Sequence, residues 1–225
     1  MKLIELLIRW MTNTMIPPAK PTVPPQKPES NYLWILDNGH ASTTPGKRSP
    51  FFSDGTQLLE YKFNREVSQK LCAMLHDEGI DYHLLVPEEH RDISLSERCK
   101  RADDLVTPKK KILISIHGNA FGNGVDWTNV TGAETYYCTG SEVGRKLAII
   151  FQQHIKSVTG LKNRGSKSAG FYILRRTSMP AILTENGFFT NEKECLYMLS
   201  DEGTTAIARA HLSAIKETER LKLVC

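Results

Sequence analysis

The sequence lacks the short motifs that mark several common enzyme classes. It has no HExxH pair for a thermolysin-type protease, no GxSxG for a serine hydrolase and no GxGxxG for a dinucleotide site. Residues 41–47 imitate a phosphate loop, but they lack its first glycine and the hydroxyl residue after the lysine. The absence of these motifs excludes the enzyme classes that they define.

Cysteine is sparse and has no pattern. The chain has five cysteines, an odd number, and no CxxC pair. This excludes a disulfide framework and a thiolate zinc site. We expect mostly reduced or buried thiols at Cys72, Cys99, Cys138, Cys195 and Cys225.

No block of one charge stands out. The 225 residues include 29 basic and 25 acidic ones, a net charge of +4. A nucleic-acid binder would show a basic stripe with interleaved aromatic residues, and none is present, so we expect no nucleic-acid partner. The length suits one domain, and a hydrophobic content of 40% suffices for its core.

The start of the chain has no uninterrupted apolar run. Glu5 and Arg9 interrupt the first eleven residues, which are also too short to span a bilayer, so we expect neither a signal peptide nor stable membrane insertion. The apolar residues recur at helical spacing, which predicts an amphipathic segment over 1–15. Residues 16–30 contain six of the eleven prolines and predict a stiff linker. The catalytic domain is predicted over 31–225.

Apolar runs alternate with helical patterns through this domain. The predicted strands cover residues 33–36, 82–86, 112–116, 132–138, 171–174 and 181–184. The predicted helices cover residues 57–78, 94–104, 142–158, 192–199 and 202–220. Such alternation predicts an α/β fold with helices on both faces of a sheet.

Three of the apolar strands run directly into polar residues. The first leads to His40, the strand over 112–116 leads to His117, and the strand over 181–184 leads to Glu185. In α/β sheets, ligands bind beyond the carboxyl ends of the strands. We therefore expect these three side chains to meet in one cleft.

A catalytic zinc ion usually takes three protein ligands and one water, so two histidines need a third partner. Glu60, at the start of the long helix, is the best candidate, although a glutamate there also suits helix capping. Glu66 is the nearest competitor, but it lies on the wrong side of the helix. Glu185 would then act as the general base, or alternatively as another ligand or an orienting group.

Several segments together resemble the zinc-dependent N-acetylmuramoyl-L-alanine amidases. The segments are Leu36-Asp-Asn-Gly-His40, Glu60, Ser115-Ile-His-Gly-Asn119 and Pro180-Ala-Ile-Leu-Thr-Glu-Asn-Gly-Phe188. The resemblance covers roughly residues 33–216. It implies a single domain with a mixed, largely parallel sheet. It also implies Zn²⁺ held by His40, Glu60 and His117, with Glu185 as the catalytic carboxylate.

The resemblance further implies the substrate, which is peptidoglycan, and the bond, which joins N-acetylmuramic acid to L-alanine of the stem peptide. The sequence departs from the family at Ala41 and Ser42, where glycines are usual, and at Gly118, where alanine is usual. Residues 41–53 also predict a longer loop at the active site.

Alternatives stay open at this point. The chain is either the amidase, a zinc peptidase cutting within the stem peptide, or a wall-binding protein without activity. It acts on the cell wall, as a phage-type lysin released from the cytoplasm or as a remodelling enzyme. Its oligomeric state is open. So are the role of Glu134 and the orientation of a basic cluster, which faces either the cleft or solvent: Lys162, Arg164, Lys167, Arg175 and Arg176.

Overall fold

A computed structural model describes residues 29–224 as one α/β unit built on a six-stranded sheet. The strands are β1 (Tyr32–Asn38), β2 (Tyr82–Leu84), β3 (Lys110–Asn119), β4 (Ala133–Tyr137), β5 (Asn163–Ser168) and β6 (Ala181–Phe188). The helices are α1 (Glu60–Glu78), α2 (Leu95–Asp104), α3 (Glu142–Thr159), α4 (Tyr172–Arg176), α5 (Glu192–Leu199) and α6 (Asp201–Leu221).

The sheet is mixed and largely parallel, with the strand order β2-β1-β3-β6-β4-β5. All neighbouring strands run parallel except β4, which is antiparallel to β6. The fold class predicted from the sequence is confirmed. The order also places β1, β3 and β6 side by side, so the three strands that lead to the candidate site residues are neighbours.

Alternating residues of the central strands form two cores, one on each face of the sheet. Trp34 and Ile114 face a cluster with α1, α3 and α6. Ile35 and Leu113 face a smaller cluster with α2 and α4. Burying each large apolar side chain contributes about 1.5–3 kcal/mol, so both faces must be covered, as the alternating pattern predicted.

The prediction of a strand over residues 171–174 is wrong. This stretch leads into the short helix α4, whose Ile173 and Leu174 are buried against the α2 side of the sheet. A short apolar run has no periodicity that distinguishes a strand from one or two helical turns. The strand β5 was not predicted, because its sequence Asn-Arg-Gly-Ser-Lys-Ser is polar and pairs along one edge only.

The first described residues are tied to the last helix. The carboxylate of Glu219 accepts hydrogen bonds from Ser30 Oγ (2.9 Å) and from the indole of Trp34 (2.8 Å). The predicted boundary at residue 31 stays a prediction, and the predicted segment 1–15 and all but the end of the linker lie outside the described residues. Within residues 29–224, four cysteines are free thiols, and no helix is long and apolar enough to cross a membrane.

Candidate metal centre

The parallel strands β1, β3 and β6 bring the candidate residues to one edge of the sheet. His40 lies two residues beyond β1. His117 lies inside β3 and is the register partner of Glu185 in β6. The two strands therefore extend further than their apolar runs indicated, and the pairing itself places an imidazole beside a carboxylate.

His40, Glu60 and His117 form a cluster whose ligand atoms all lie within 4.8 Å of one another. Glu60 Oε1 lies 3.0 Å from His117 Nδ1 and 3.4 Å from His40 Nε2. Two ligands on a tetrahedral zinc ion, each about 2.0–2.2 Å from it, are roughly 3.3 Å apart. The spacing and the donor set therefore fit a zinc ion, and no second such cluster occurs among residues 29–224.

Glu60 is buried at the first position of α1. Its backbone N–H donates to Lys47 O (2.9 Å), which fixes the start of the helix against the loop over 41–53. Burial alone would raise the pKa of the Glu60 carboxyl, but hydrogen bonds and charge attraction from His117 and His40 hold this pKa well below its usual range. In return, although burial lowers the pKa of His117, the hydrogen bond and charge of Glu60 raise it overall.

The competitor Glu66 points elsewhere. Its carboxylate accepts a hydrogen bond from Thr204 Oγ1 and pairs with Lys70, so it belongs to the contact between α1 and α6. This position agrees with the sequence prediction that Glu66 lies on the wrong side of the helix to reach His40.

The backbone around His40 is strained and held in place. His40 has a φ of 65°, in the left-handed region that few residues other than glycine adopt. Asn64 donates to Gly39 O (3.0 Å) and Arg65 donates to His40 O (2.9 Å), so α1 fixes this turn. A Cβ at Gly39 would lie 2.0 Å from the His117 ring, so only glycine allows the two histidines to approach.

Glu185 has a carboxylate oxygen with nothing to bind. Its Oε2 is buried and has no hydrogen-bond partner among the described residues. Burial raises the pKa of the Glu185 carboxyl to about 8. A carboxyl group that titrates near neutral pH and has a free oxygen suits proton transfer.

Glu134 is the register partner of Glu185 on the antiparallel strand β4. Unlike the free oxygen of Glu185, its carboxylate is surrounded by hydrogen-bond donors and positive charges. Its carboxylate accepts hydrogen bonds from Asn119 (2.9 Å) and Tyr136 (2.7 Å), and it pairs with Arg164 (2.8 Å) and Lys167. Although burial opposes them, these partners lower the pKa of Glu134 to about 2. A carboxylate bound in this way is unsuited to carrying protons, so the two neighbouring glutamates differ in chemistry.

Four residues of the basic cluster contact side chains of the protein itself. Arg164 and Lys167 neutralise Glu134, and Arg175 and Arg176 lie over the ring of Tyr172 on α4. Two amide side chains nearby donate to protein groups. Asn119 donates to Glu134, and the buried Asn186 donates to the His117 carbonyl oxygen (3.0 Å).

The site opens into a cavity of about 630 Å³. Its lining comprises Asp37, Gly39, His40, Lys47, Asp92, Ile93, Ser94, Leu95, Arg98, Ser115, His117, Phe171, Tyr172, Ile173, Leu183 and Glu185. The volume is in the range of small-molecule sites. Both histidines of the cluster and the free carboxylate therefore face one space that a substrate can enter.

Sequence reasoning missed Asp37, Ser115 and Arg98 as members of the site. Ser115 precedes His117 by two residues on β3, so the two side chains share a face of the sheet. This spacing was a usable signal. The position of Arg98, on a helix far along the chain from Asp37, left no such signal.

Comparison with known proteins agrees with this geometry. Residues 35–217 match the Amidase_3 family, described as N-acetylmuramoyl-L-alanine amidase. The chain therefore belongs to this family, as the resemblance implied.

Similar proteins of known sequence or structure cover most of this chain. The chain is 28% identical over 162 residues to the amidase LytC of Bacillus subtilis, covering 71% of this chain and 30% of LytC. It is 29% identical over 199 residues to an endolysin of Bacillus phage SPP1, covering 86% of this chain and 68% of that protein. The solved amidase from Clostridium difficile superposes with a TM-score of 0.72 at 26% identity, covering 84% and 97% of the two chains.

Proposed function

We propose that this protein hydrolyses the amide bond between N-acetylmuramic acid and L-alanine of the peptidoglycan stem peptide. Family membership supports the choice of bond and substrate. The observation that carries the chemistry is one cavity lined by both histidines of the His-Glu-His cluster and by a carboxylate with a free oxygen. This combination is typical of metal-assisted hydrolysis.

His40, Glu60 and His117 are the residues that would hold a Zn²⁺ ion. When bound, this ion supplies a Lewis acid and water of lowered pKa. Three protein ligands leave a coordination position for a fourth group, which distinguishes a catalytic site from a closed structural one. The low pKa of Glu60 favours this role, because the carboxylate stays ionised at any physiological pH.

Glu185 is the proton carrier in this proposal. In its ionised form it accepts a proton from the attacking water on its free oxygen and then delivers the proton to the leaving amine of L-alanine. The water oxygen bonds to the lactyl carbonyl carbon and the C–N bond breaks, so the lactyl group becomes a carboxylate and the peptide leaves with a free amino terminus. Glu134 fixes Asn119, Arg164 and Lys167 beside this centre and transfers no proton.

Digestion of purified muropeptides followed by mass spectrometry tests the choice of bond. The proposal expects a sugar product with a free lactyl carboxylate and a peptide that begins with L-alanine. Fragments cut inside the stem peptide would instead identify a peptidase, and intact muropeptides would identify a wall-binding protein. The variant Glu185→Gln, of the same size, serves as the inactive control.

A matched pair of variants on α1 tests the metal ligands. Glu60→Gln should lose bound zinc because it removes the only ligand charge. Glu66→Gln, six residues along the same helix, should bind zinc like the parent because Glu66 contacts Thr204 and Lys70. Equal zinc content in both variants would contradict the assignment of Glu60.

The same reaction serves phage lysis and the remodelling of a host wall, and the names of the relatives include an endolysin as well as bacterial amidases. In either role we place the site of action at the cell wall, with peptidoglycan as the partner. Lysis of whole cells from outside, compared with loss of wall turnover in a deletion strain, separates the two roles.

A further inference from the structure

The two ring nitrogens of His117 face different surroundings. Nδ1 lies 3.0 Å from Glu60 Oε1, within the cluster of candidate ligands. Nε2 lies 3.1 Å from Ser115 Oγ, on the same strand. A neutral imidazole carries one proton, and only the nitrogen without it can bind a cation. For Nδ1 to bind a cation, the proton of the neutral ring must therefore reside on Nε2, where Ser115 is its partner.

The Ser115 hydroxyl donates its hydrogen to a residue other than His117. Ser115 Oγ donates to Asp37 Oδ2 at 2.5 Å. The other oxygen of Asp37 accepts from the Arg98 guanidinium at 2.6 Å. A carboxylate paired with the Arg98 guanidinium has no hydrogen of its own and can only accept. Because the hydroxyl has a single hydrogen, Ser115 Oγ must accept from His117, so Nε2 carries the proton.

We propose that Ser115, oriented by Asp37 and Arg98, is a positioning residue that fixes His117 as the Nε2–H tautomer and so presents the Nδ1 lone pair to the metal. This inference rests on the proposed zinc site and extends it to three residues that touch neither metal nor substrate in the proposal. Groups that orient a metal-bound histidine typically contribute 10- to 100-fold to metal affinity.

Asp37, Ser115 and Arg98 lie on β1, β3 and α2. Asp37 and Ser115 are register partners on β1 and β3, and both are almost fully buried, as is Arg98. Arg98 also donates to Asn38 O at 3.1 Å and to Ile93 O at 2.8 Å. Because Asn38 precedes Gly39 and His40, the same guanidinium helps to fix the strand end that carries the other histidine ligand.

Two readouts on one set of variants test the proposal. The first is the His117 tautomer, read from ¹⁵N chemical shifts of the zinc-loaded protein, since without a metal the Glu60 carboxylate beside Nδ1 would itself accept a ring proton. The second is the zinc dissociation constant, measured by competition with a chelator. The variants are Ser115→Ala, Ser115→Thr and the control Ser68→Ala, a buried serine that donates to its own helix at Asn64 O.

We expect the zinc-loaded parent to carry the His117 proton on Nε2. Ser115→Ala should weaken zinc binding by roughly 10- to 100-fold, because the Nε2–H group loses its acceptor. Ser115→Thr keeps the hydroxyl and should bind zinc like the parent, and so should Ser68→Ala. A proton on Nδ1 in the zinc-loaded parent, or zinc binding by Ser115→Ala as tight as by Ser68→Ala, would overturn the proposal.

Asp37→Asn provides a second variant. Arg98 would face the amide oxygen, so the amide NH₂ would donate to Ser115 Oγ and free the hydroxyl hydrogen for Nε2. The expected result is weaker zinc binding than in the parent, and parent-like binding in a folded variant would contradict the proposed direction of the chain. If the parent binds no zinc, the metal site of the proposed function fails. If the parent binds zinc and Ser115→Ala binds it equally well, only this inference fails.

Discussion

Glu185→Gln is expected to stabilise the metal-free protein at neutral pH while it removes activity. Burial raises the pKa of the Glu185 carboxyl to about 8, from an ordinary value of 4.5. At pH 7 the unfolded chain carries an ionised carboxylate here, whereas the folded protein carries a neutral acid. Folding at pH 7 is therefore coupled to the binding of one proton, which costs free energy.

The sign and size follow from linkage. A carboxyl group whose pKa is higher in the folded state contributes stability that is complete below pH 4.5 and is lost as the pH rises through about 8. From pH 4.5 to 7 the loss is about 1.4 kcal/mol per unit, or about 3 kcal/mol in all. Glutamine does not titrate, so Glu185→Gln should be more stable than the parent by up to about 3 kcal/mol at pH 7 and nearly equal to it at pH 4.

Urea unfolding of the chelator-treated proteins between pH 4 and pH 8.5 measures this difference. Glu192→Gln, at an exposed carboxylate on α5, provides a control for the same substitution outside the buried site. Activity of the zinc-loaded Glu185→Gln should fall by at least about 100-fold. A stability difference between Glu185→Gln and the parent that does not change with pH would refute the assignment of a raised pKa.

Three further results are expected. Removal of metal with a chelator should abolish hydrolysis and zinc should restore it, whereas activity that survives exhaustive removal would contradict a metal mechanism. Gly39→Ala should impair zinc binding, because its Cβ would lie 2.0 Å from the His117 ring; a variant with unchanged zinc affinity would show that the ring can move. Glu134→Gln should destabilise the protein by about 1–3 kcal/mol above pH 5 in urea unfolding, since Arg164 and Lys167 lose their partner. Because the pKa of Glu134 is lowered to about 2, the difference should shrink only as the pH falls from about 4.5 towards 2.

The residues that follow buried strands were predictable from the sequence. His40, His117 and Glu185 each stand where an apolar run ends, and a largely parallel sheet brings such ends together. Glu60 was found because it begins the helix that follows the first strand. These arguments use only chain order and strand direction, which the sequence pattern carries.

The surroundings of the two neighbouring glutamates were not predictable in the same way. The Glu134 carboxylate is paired because the edge strand β5 brings Arg164 and Lys167 beside it. The sequence of β5 is polar and has no apolar pattern that would predict a strand. The antiparallel β4 sets Glu134 opposite Glu185, and no local signal in the sequence specifies that strand order. Which carboxylate can carry a proton therefore depends on long-range pairing rather than on residue type.

The most direct test of the central claim is mass spectrometry of muropeptides digested by the metal-free chain before and after zinc is restored. We expect intact muropeptides without zinc. With zinc we expect a sugar bearing a free lactyl carboxylate and a peptide beginning with L-alanine. Cleavage that does not depend on the metal, or zinc-dependent cleavage within the peptide, would contradict it.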